Sequence, residues 1–210
     1  MPEPAPLTLV IETSTTTCSV ALIREGAVVA ERYELIGRGH AERLIPMIAE
    51  LPDGGRADRI LVDCGPGSFT GIRVGIAAAR GLAIGWGVPV TGFSSLALTA
   101  AAALAADPAL DDLAVVLEGG HGEVFMQTFG RPLAANGPFA SLKPEAALAM
   151  LGDRVATGNG VHHLAALDPA LDLRETLPRA ADACLLPTDF TALPPRPIYG
   201  RAPDAKPIAS

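Results

Sequence analysis

The chain has 210 residues, of which 49% are hydrophobic and 19% charged, with a formal net charge of −7. That length fits one or two domains with a core able to fold unaided, and the composition excludes a disordered chain. The acidic balance excludes a strongly basic protein that grips nucleic acid by itself.

In chain order, residues 7–12 predict a short apolar strand closing on Glu12. A polar turn at 13–17 leads into a second strand at 18–24. Glu25 and Gly26 turn the chain into a third at 27–35. Three strands joined by short polar turns predict an antiparallel meander. Residues 40–51 carry apolar side chains at 44, 45, 48 and 51, a helical spacing, with Pro46 inside as a source of a kink or a later start. A strand at 59–64, a helix at 71–86, a short strand at 89–92 and an Ala-rich helix at 96–106, capped by Ser94 or Ser95, complete a βββαβαβα order. That order predicts a mixed sheet with helices on its faces, the ribonuclease-H-like or actin-like half-domain. Strands at 113–118 and 123–129, a helix at 143–151, a strand at 155–158 and a helix at 162–167 predict a second, reduced α/β lobe. The expected division is 1–107 for the first lobe, 108–198 for the second and 199–210 for a tail.

The run DCGPGSFTGIRVGIAAARG (63–81) invites two readings. A phosphate-binding loop needs G-x-x-x-x-G-K-[ST], but no lysine precedes Lys143. A dinucleotide turn needs G-x-G-x-x-G, but Gly65, Gly67 and Gly71 are spaced one residue too long. The loop nonetheless opens a helix, whose first amides favour an anion. The other reading is packing. On a helical wheel Val74, Ala78, Leu82 and Gly85 share one side, expected to face the sheet. Ile72, Ile76, Ala79 and Ala83 form a second apolar strip, with Arg80 at its edge. The strip fits either an ordinary core helix or an association face. The association reading predicts an interface of Ile72, Ile76, Ala79, Arg80 and Ala83, joined by Leu44 and Ile48 from the preceding helix.

Cys18, Cys64 and Cys184 are odd in number and scattered, which predicts reduced thiols in a cytoplasmic protein rather than a disulfide frame or zinc cluster. No basic stretch precedes the first apolar run, so no secretory signal is expected. The longest apolar stretch, 71–88, contains Arg73 and Arg80. Each arginine costs about 2.5–3.5 kcal/mol at mid-bilayer, so no membrane span is expected.

GPGSFTGIRVGIAAARGLA (65–83) resembles the signature of the TsaB/YeaZ family. So do LVIETSTTTCSVAL (9–22), HAERLIPMI (40–48), GEVF (122–125), GNG (158–160) and PIYGRAPDA (197–205). The resemblance implies an actin-like (ASKHA) two-lobe fold. It also implies a non-catalytic subunit that binds the catalytic TsaD and, with the ATPase TsaE, supports threonylcarbamoyl transfer to N6 of adenosine 37 in tRNA. Contact with tRNA is then expected only within the complex, and the association face is expected to meet either TsaD or, in a homodimer, a second copy of this chain. An enzyme of the same superfamily is the alternative: an actin-like ATPase, an acyltransferase or a metallopeptidase.

The chain departs from the family pattern at Glu12, where an Asp is usual. It also lacks the usual Asp and Arg in EGGHGEVF (118–125) and has Gly200 in place of Leu. Nucleotide-binding relatives use the Asp to hold metal and phosphate, so Glu12 is a weak candidate for a cofactor-binding residue and no cofactor is expected. TsaD holds its metal with His-x-x-x-His. Here His40, His121, His162 and His163 offer no pair at i, i+3 or i+4, and adjacent His162 and His163 are expected about 100° apart on a helix. No metal site is therefore expected. Ser68 is expected to cap the following helix rather than act as a nucleophile. His121 and Glu123 flank a turn, where surface hairpin chemistry accounts for them as well as a polar site does.

Overall fold

Residues 5–200 are described in the computed structural model. The last ten residues of the expected tail, and most of its PIYGRAPDA run, lie outside them.

The first sheet contains β1 (Thr8–Glu12), β2 (Thr17–Arg24), β3 (Ala27–Leu35), β4 (Arg59–Asp63) and β5 (Val90–Phe93). Its order is β3-β2-β1-β4-β5. The first three strands form the expected meander, and β4 and β5 run parallel to β1. Successive side chains of β1 point to opposite faces. Leu9 and Ile11 enter one core together with α1 (His40–Ala49) and α2 (Phe69–Trp86), while Val10 enters a second core on the other face.

That second core joins the two halves of the chain. It holds α3 (Ser95–Ala106) between the first sheet and Leu113, Val115 and Leu117 of β6 (Asp112–Glu118). A helix covered on both sides must be apolar all round, and α3 is, with Leu96, Leu98, Ala100, Ala101 and Leu104 buried. Ser94 stands at its N-cap without a side-chain bond, and Ser95 Oγ instead donates to Pro66 O at 2.7 Å.

The second sheet follows the order β11-β10-β6-β7-β8. It contains β7 (Val124–Gly130), β8 (Ala134–Ala135), β10 (Val155–Thr157) and β11 (Leu173–Arg174), with β9 (Ala140–Leu142) pairing beside β7. Its outer face packs Val116, Val124 and Met126 against Ala147 and Leu151 of α4 (Pro144–Leu151) and Leu164 of α5 (Val161–Ala165). The layers are thus α1/α2, sheet, α3, sheet, α4/α5, an actin-like two-lobe α/β fold.

From Arg179 onward the chain returns to the first sheet. Arg179 pairs with Glu31, Ala180 N–H donates to Ser19 Oγ at 2.9 Å, Leu193 bridges Gly92 of β5, and Ile198 N–H donates to Cys64 O at 2.8 Å. The expected second lobe of 108–198 thus sends its last twenty residues back across the first. Among the described residues, no helix is long and apolar enough to cross a membrane.

Candidate functional site

The corner where β1 and β4 end contains the densest buried polar chemistry. The two strands are parallel neighbours with Ile11 opposite Val62, so Glu12 and Asp63 emerge side by side. Both are fully buried, at 0% and 1% exposure. Glu12 Oε1 accepts from the Ser14 amide at 2.6 Å and the Ser14 hydroxyl at 2.5 Å, and Oε2 accepts from Thr17 Oγ1 at 3.4 Å. Asp63 Oδ1 accepts from Gly65 N–H at 2.6 Å, while Oδ2 finds no hydrogen-bond partner among the described residues. Burial, and then the neighbouring Asp63 charge, push Glu12 well above the usual carboxylate range. Burial raises Asp63 to about 6. Two desolvated carboxyls this close retain a proton between them rather than both ionising.

The glycine run after Asp63 answers to packing. Ser68 N–H donates to Ser14 O at 2.6 Å, and Ser68 Oγ accepts from Gly71 N–H at 3.2 Å, the expected helix cap. Thr13 Oγ1 donates to Gly71 O at 2.9 Å. A β-carbon at Gly67 would meet Ser14 O, at Gly71 would meet Thr13 O, and at Gly75 would meet Thr13 Oγ1, all well under 3.0 Å. The Thr13–Ser14 turn therefore occupies the space in front of the α2 N-terminus. Three amides at this end of α2 have partners within the chain: Ser68 N–H on Ser14 O, Gly71 N–H on Ser68 Oγ and Ile72 N–H on Ser68 O.

The expected face assignment of α2 is reversed in the structure. Ile72, Ile76, Ala79 and Ala83, expected to face a partner, are buried in the chain's own core together with Leu44 and Ile48 of α1. Val74, Ala78 and Leu82, expected to face the sheet, are only half-buried, and Gly85 is exposed. The reason is the close approach at Gly71 and Gly75, which turns the glycine side of the helix onto the Thr13–Ser14 turn and brings Ile72 and Ile76 beneath it. Of the expected interface set only Arg80 is exposed, with its guanidinium donating to Pro195 O at 2.6 Å.

A second expectation is also corrected. His162 and His163 do not diverge: their ring centroids lie 4.1 Å apart with 37° between the planes. Both sit on the single turn of α5, where the rings are free to lean together. Glu118, at the end of β6, joins them, so that one ligand atom from each residue lies within 4.8 Å of the others. Asp63 and Glu118 were not singled out from sequence. An acid ending an apolar strand beside another such strand is the signal for Asp63, whereas Glu118 meets the histidines only through the pairing of β6 with β10. His40 is buried with Nε2 2.9 Å from Thr17 O, and His121 is exposed on the turn after β6.

The fold and its buried corner define a two-sheet α/β protein in which the Thr13–Ser14 turn packs directly on the glycines that lead into α2. A family model described as TsaD, tRNA N6-adenosine threonylcarbamoyltransferase, matches residues 28–139. The Escherichia coli protein named tRNA threonylcarbamoyladenosine biosynthesis protein TsaB is 38% identical over 128 residues, 59% of this chain and 54% of that one. The aligned part thus spans about half of that relative's length. An uncharacterized protein of Mycobacterium tuberculosis is 32% identical over 96% of this chain and 94% of its own length. The solved structure of YeaZ from Pseudomonas aeruginosa superposes with a TM-score of 0.77 at 29% identity, covering 92% of this chain and 99% of that one. The chain belongs to the TsaB/YeaZ family.

Proposed function

We propose that this chain is a non-catalytic subunit that binds TsaD. With TsaE, it supports threonylcarbamoyl transfer to N6 of adenosine 37 in cytoplasmic tRNA. It meets tRNA only inside that complex, and pairs with a second copy of itself when TsaD is absent. The name of the Escherichia coli relative, a threonylcarbamoyladenosine biosynthesis protein, supports the pathway. The observation that carries the non-catalytic reading is the closed corner, where Glu12 is fully buried and bonded and Thr13–Ser14 fills the space before α2.

Association belongs on the outward side of the α1–α2 pair. The six buried members of the expected set stabilise this pair from within, and Arg80, Ile45 and Ile84 are exposed on it, Ile84 at 84%. Ile45 and Ile84 are the large apolar side chains that a partner on this side would cover. The test is co-purification with TsaD from the same organism, alongside formation of the modified nucleoside by the recombined TsaD, TsaE and this chain. Ile84→Glu is expected to lose the complex while keeping the wild-type circular dichroism. Modification that proceeds equally well without this chain, or ATP turnover by the chain alone, would overturn the proposal.

A further inference from the structure

The Glu118, His162 and His163 cluster lies apart from the closed corner and from the α1–α2 pair. It is built by a motif that the proposed function leaves unexplained. Gly158-Asn159-Gly160 docks on the end of β6: a β-carbon at Gly158 would meet Val116 O, and one at Gly160 would meet the backbone of Leu117 and Glu118, both inside 3.0 Å. Gly160 N–H donates to Val116 O at 3.0 Å, and Glu118 N–H donates to Asn159 Oδ1 at 3.0 Å. The two glycines thus bring the start of α5 against the last residue of β6. Asn159 also sets the first imidazole, since its carbonyl oxygen lies 2.9 Å from His162 Nδ1. A carbonyl only accepts, so Nδ1 carries the hydrogen and Nε2 keeps the lone pair. An imidazole oriented by a backbone carbonyl in this way is how metal-bound histidines are held.

We propose that Glu118, His162 and His163 bind a divalent, imidazole-preferring ion such as Zn²⁺, through one carboxylate oxygen and two ring nitrogens. Zinc bonds to nitrogen and oxygen are about 2.0–2.2 Å, which places tetrahedral ligand atoms roughly 3.4 Å apart. From 4.8 Å the side chains need to close by only about 1–2 Å, a rotamer adjustment open to the exposed Glu118 and His162. Two imidazoles select zinc, nickel, cobalt or copper over magnesium or calcium, which prefer all-oxygen shells. Three protein ligands leave a coordination position for water or for an oxygen of an incoming carboxylate or phosphate. The ion would sit on the second sheet, so its binding is independent of whether the chain engages TsaD.

The test uses the untagged full chain, stripped with chelator. Zn²⁺ is titrated in competition with a chromogenic chelator, and Co²⁺ is followed by its visible absorption. The expected result is one ion per chain, with His162→Ala and His163→Ala each weakening binding at least about tenfold, the lower bound set by losing a partner that only orients a ligand. Glu118→Gln weakens it as well, while His121→Ala and Cys184→Ser leave it unchanged. A Co²⁺ spectrum identical to that of the free aqueous ion, or binding untouched by both histidine variants, would overturn the site. Should His163→Ala unfold the chain by circular dichroism, His162→Ala, whose ring is exposed, decides the matter alone.

Discussion

A β-carbon on Gly71 would overlap the carbonyl oxygen of Thr13. Two further glycines of the same helix, Gly81 and Gly85, face open space. The pair of environments gives opposite predictions. Gly71→Ala is expected to cost about 3 kcal/mol or more, because backbone rather than a flexible side chain must move. Gly81→Ala and Gly85→Ala are each expected to gain about 0.5–1 kcal/mol from lower helix entropy cost. Urea denaturation of the three variants checks this; a Gly71→Ala protein as stable as wild type would contradict the close approach.

The buried acid pair predicts an unusual pH dependence. Asp63 titrates at about 6 in the fold because burial disfavours its charge, against about 3.9 in an unfolded chain. Between those values the folded state holds more protons, so this group's contribution is complete below about pH 4 and is lost as the pH rises through about 6. Asp63→Asn keeps the acceptor for Gly65 N–H and cannot ionise. It is expected to be more stable than wild type at pH 7 by on the order of 1–3 kcal/mol, with the difference vanishing toward pH 4. Unfolding curves for both proteins from pH 4 to pH 8 provide the measurement, and a difference that grows toward low pH would contradict it.

Ala79 is fully buried against α1 and the sheet, whereas Ile84 on the same helix is 84% exposed. Ala79→Glu therefore places an unpaired charge in the core and is expected to unfold the chain or cost about 3–5 kcal/mol. Ile84→Glu is expected to leave the thermal midpoint within a degree or two, since exposed substitutions rarely exceed about 0.5 kcal/mol. Equal effects of the two would show that the helix is not oriented as described.

Cysteine reactivity gives a third readout of burial. Burial raises Cys18 and Cys64 to about 12, and Cys184, only partly covered, is raised less. At pH 8 a disulfide reagent is expected to modify Cys184 first and slowly, with Cys18 and Cys64 reacting only after denaturant is added. Mass spectrometry of the early product decides which thiol reacts.

With a net charge of −7, the isolated chain is expected to bind tRNA weakly at about 150 mM salt. A mobility shift at sub-micromolar protein under those conditions would place RNA contacts on this subunit itself.

The meander, α1 and the β4–α2–β5–α3 succession were legible because each apolar run ends in a polar turn or a glycine. The orientation of α2 was not legible, because its sequence is apolar on both flanks and a wheel gives no reason to prefer Val74 and Leu82 over Ile72 and Ile76. The decisive signal was the position of Gly71 and Gly75 among the isoleucines, since glycine marks the side of closest approach. The carboxyl pair was half legible: Glu12 stood out at a strand end, but Asp63 joins it only through the parallel register of β1 and β4. Glu118 and the two histidines lie more than forty positions apart, and no periodicity of either segment reports the contact.

The return of residues 179–199 to the first sheet has a consequence for biosynthesis. β5 is an edge strand, and its open side is bridged at Gly92 by Leu193, while Cys64 O waits for the amide of Ile198. On the ribosome, the strands of the first sheet emerge first, and the segment that closes this edge follows only after β6–β11 and the helices between them have been made. Until then the nascent chain presents an unpaired edge beside Phe93, a template for pairing with a neighbouring chain. A pause in translation between β5 and Leu193 is therefore expected to lower the yield of folded protein, because it leaves that edge open to a neighbouring chain.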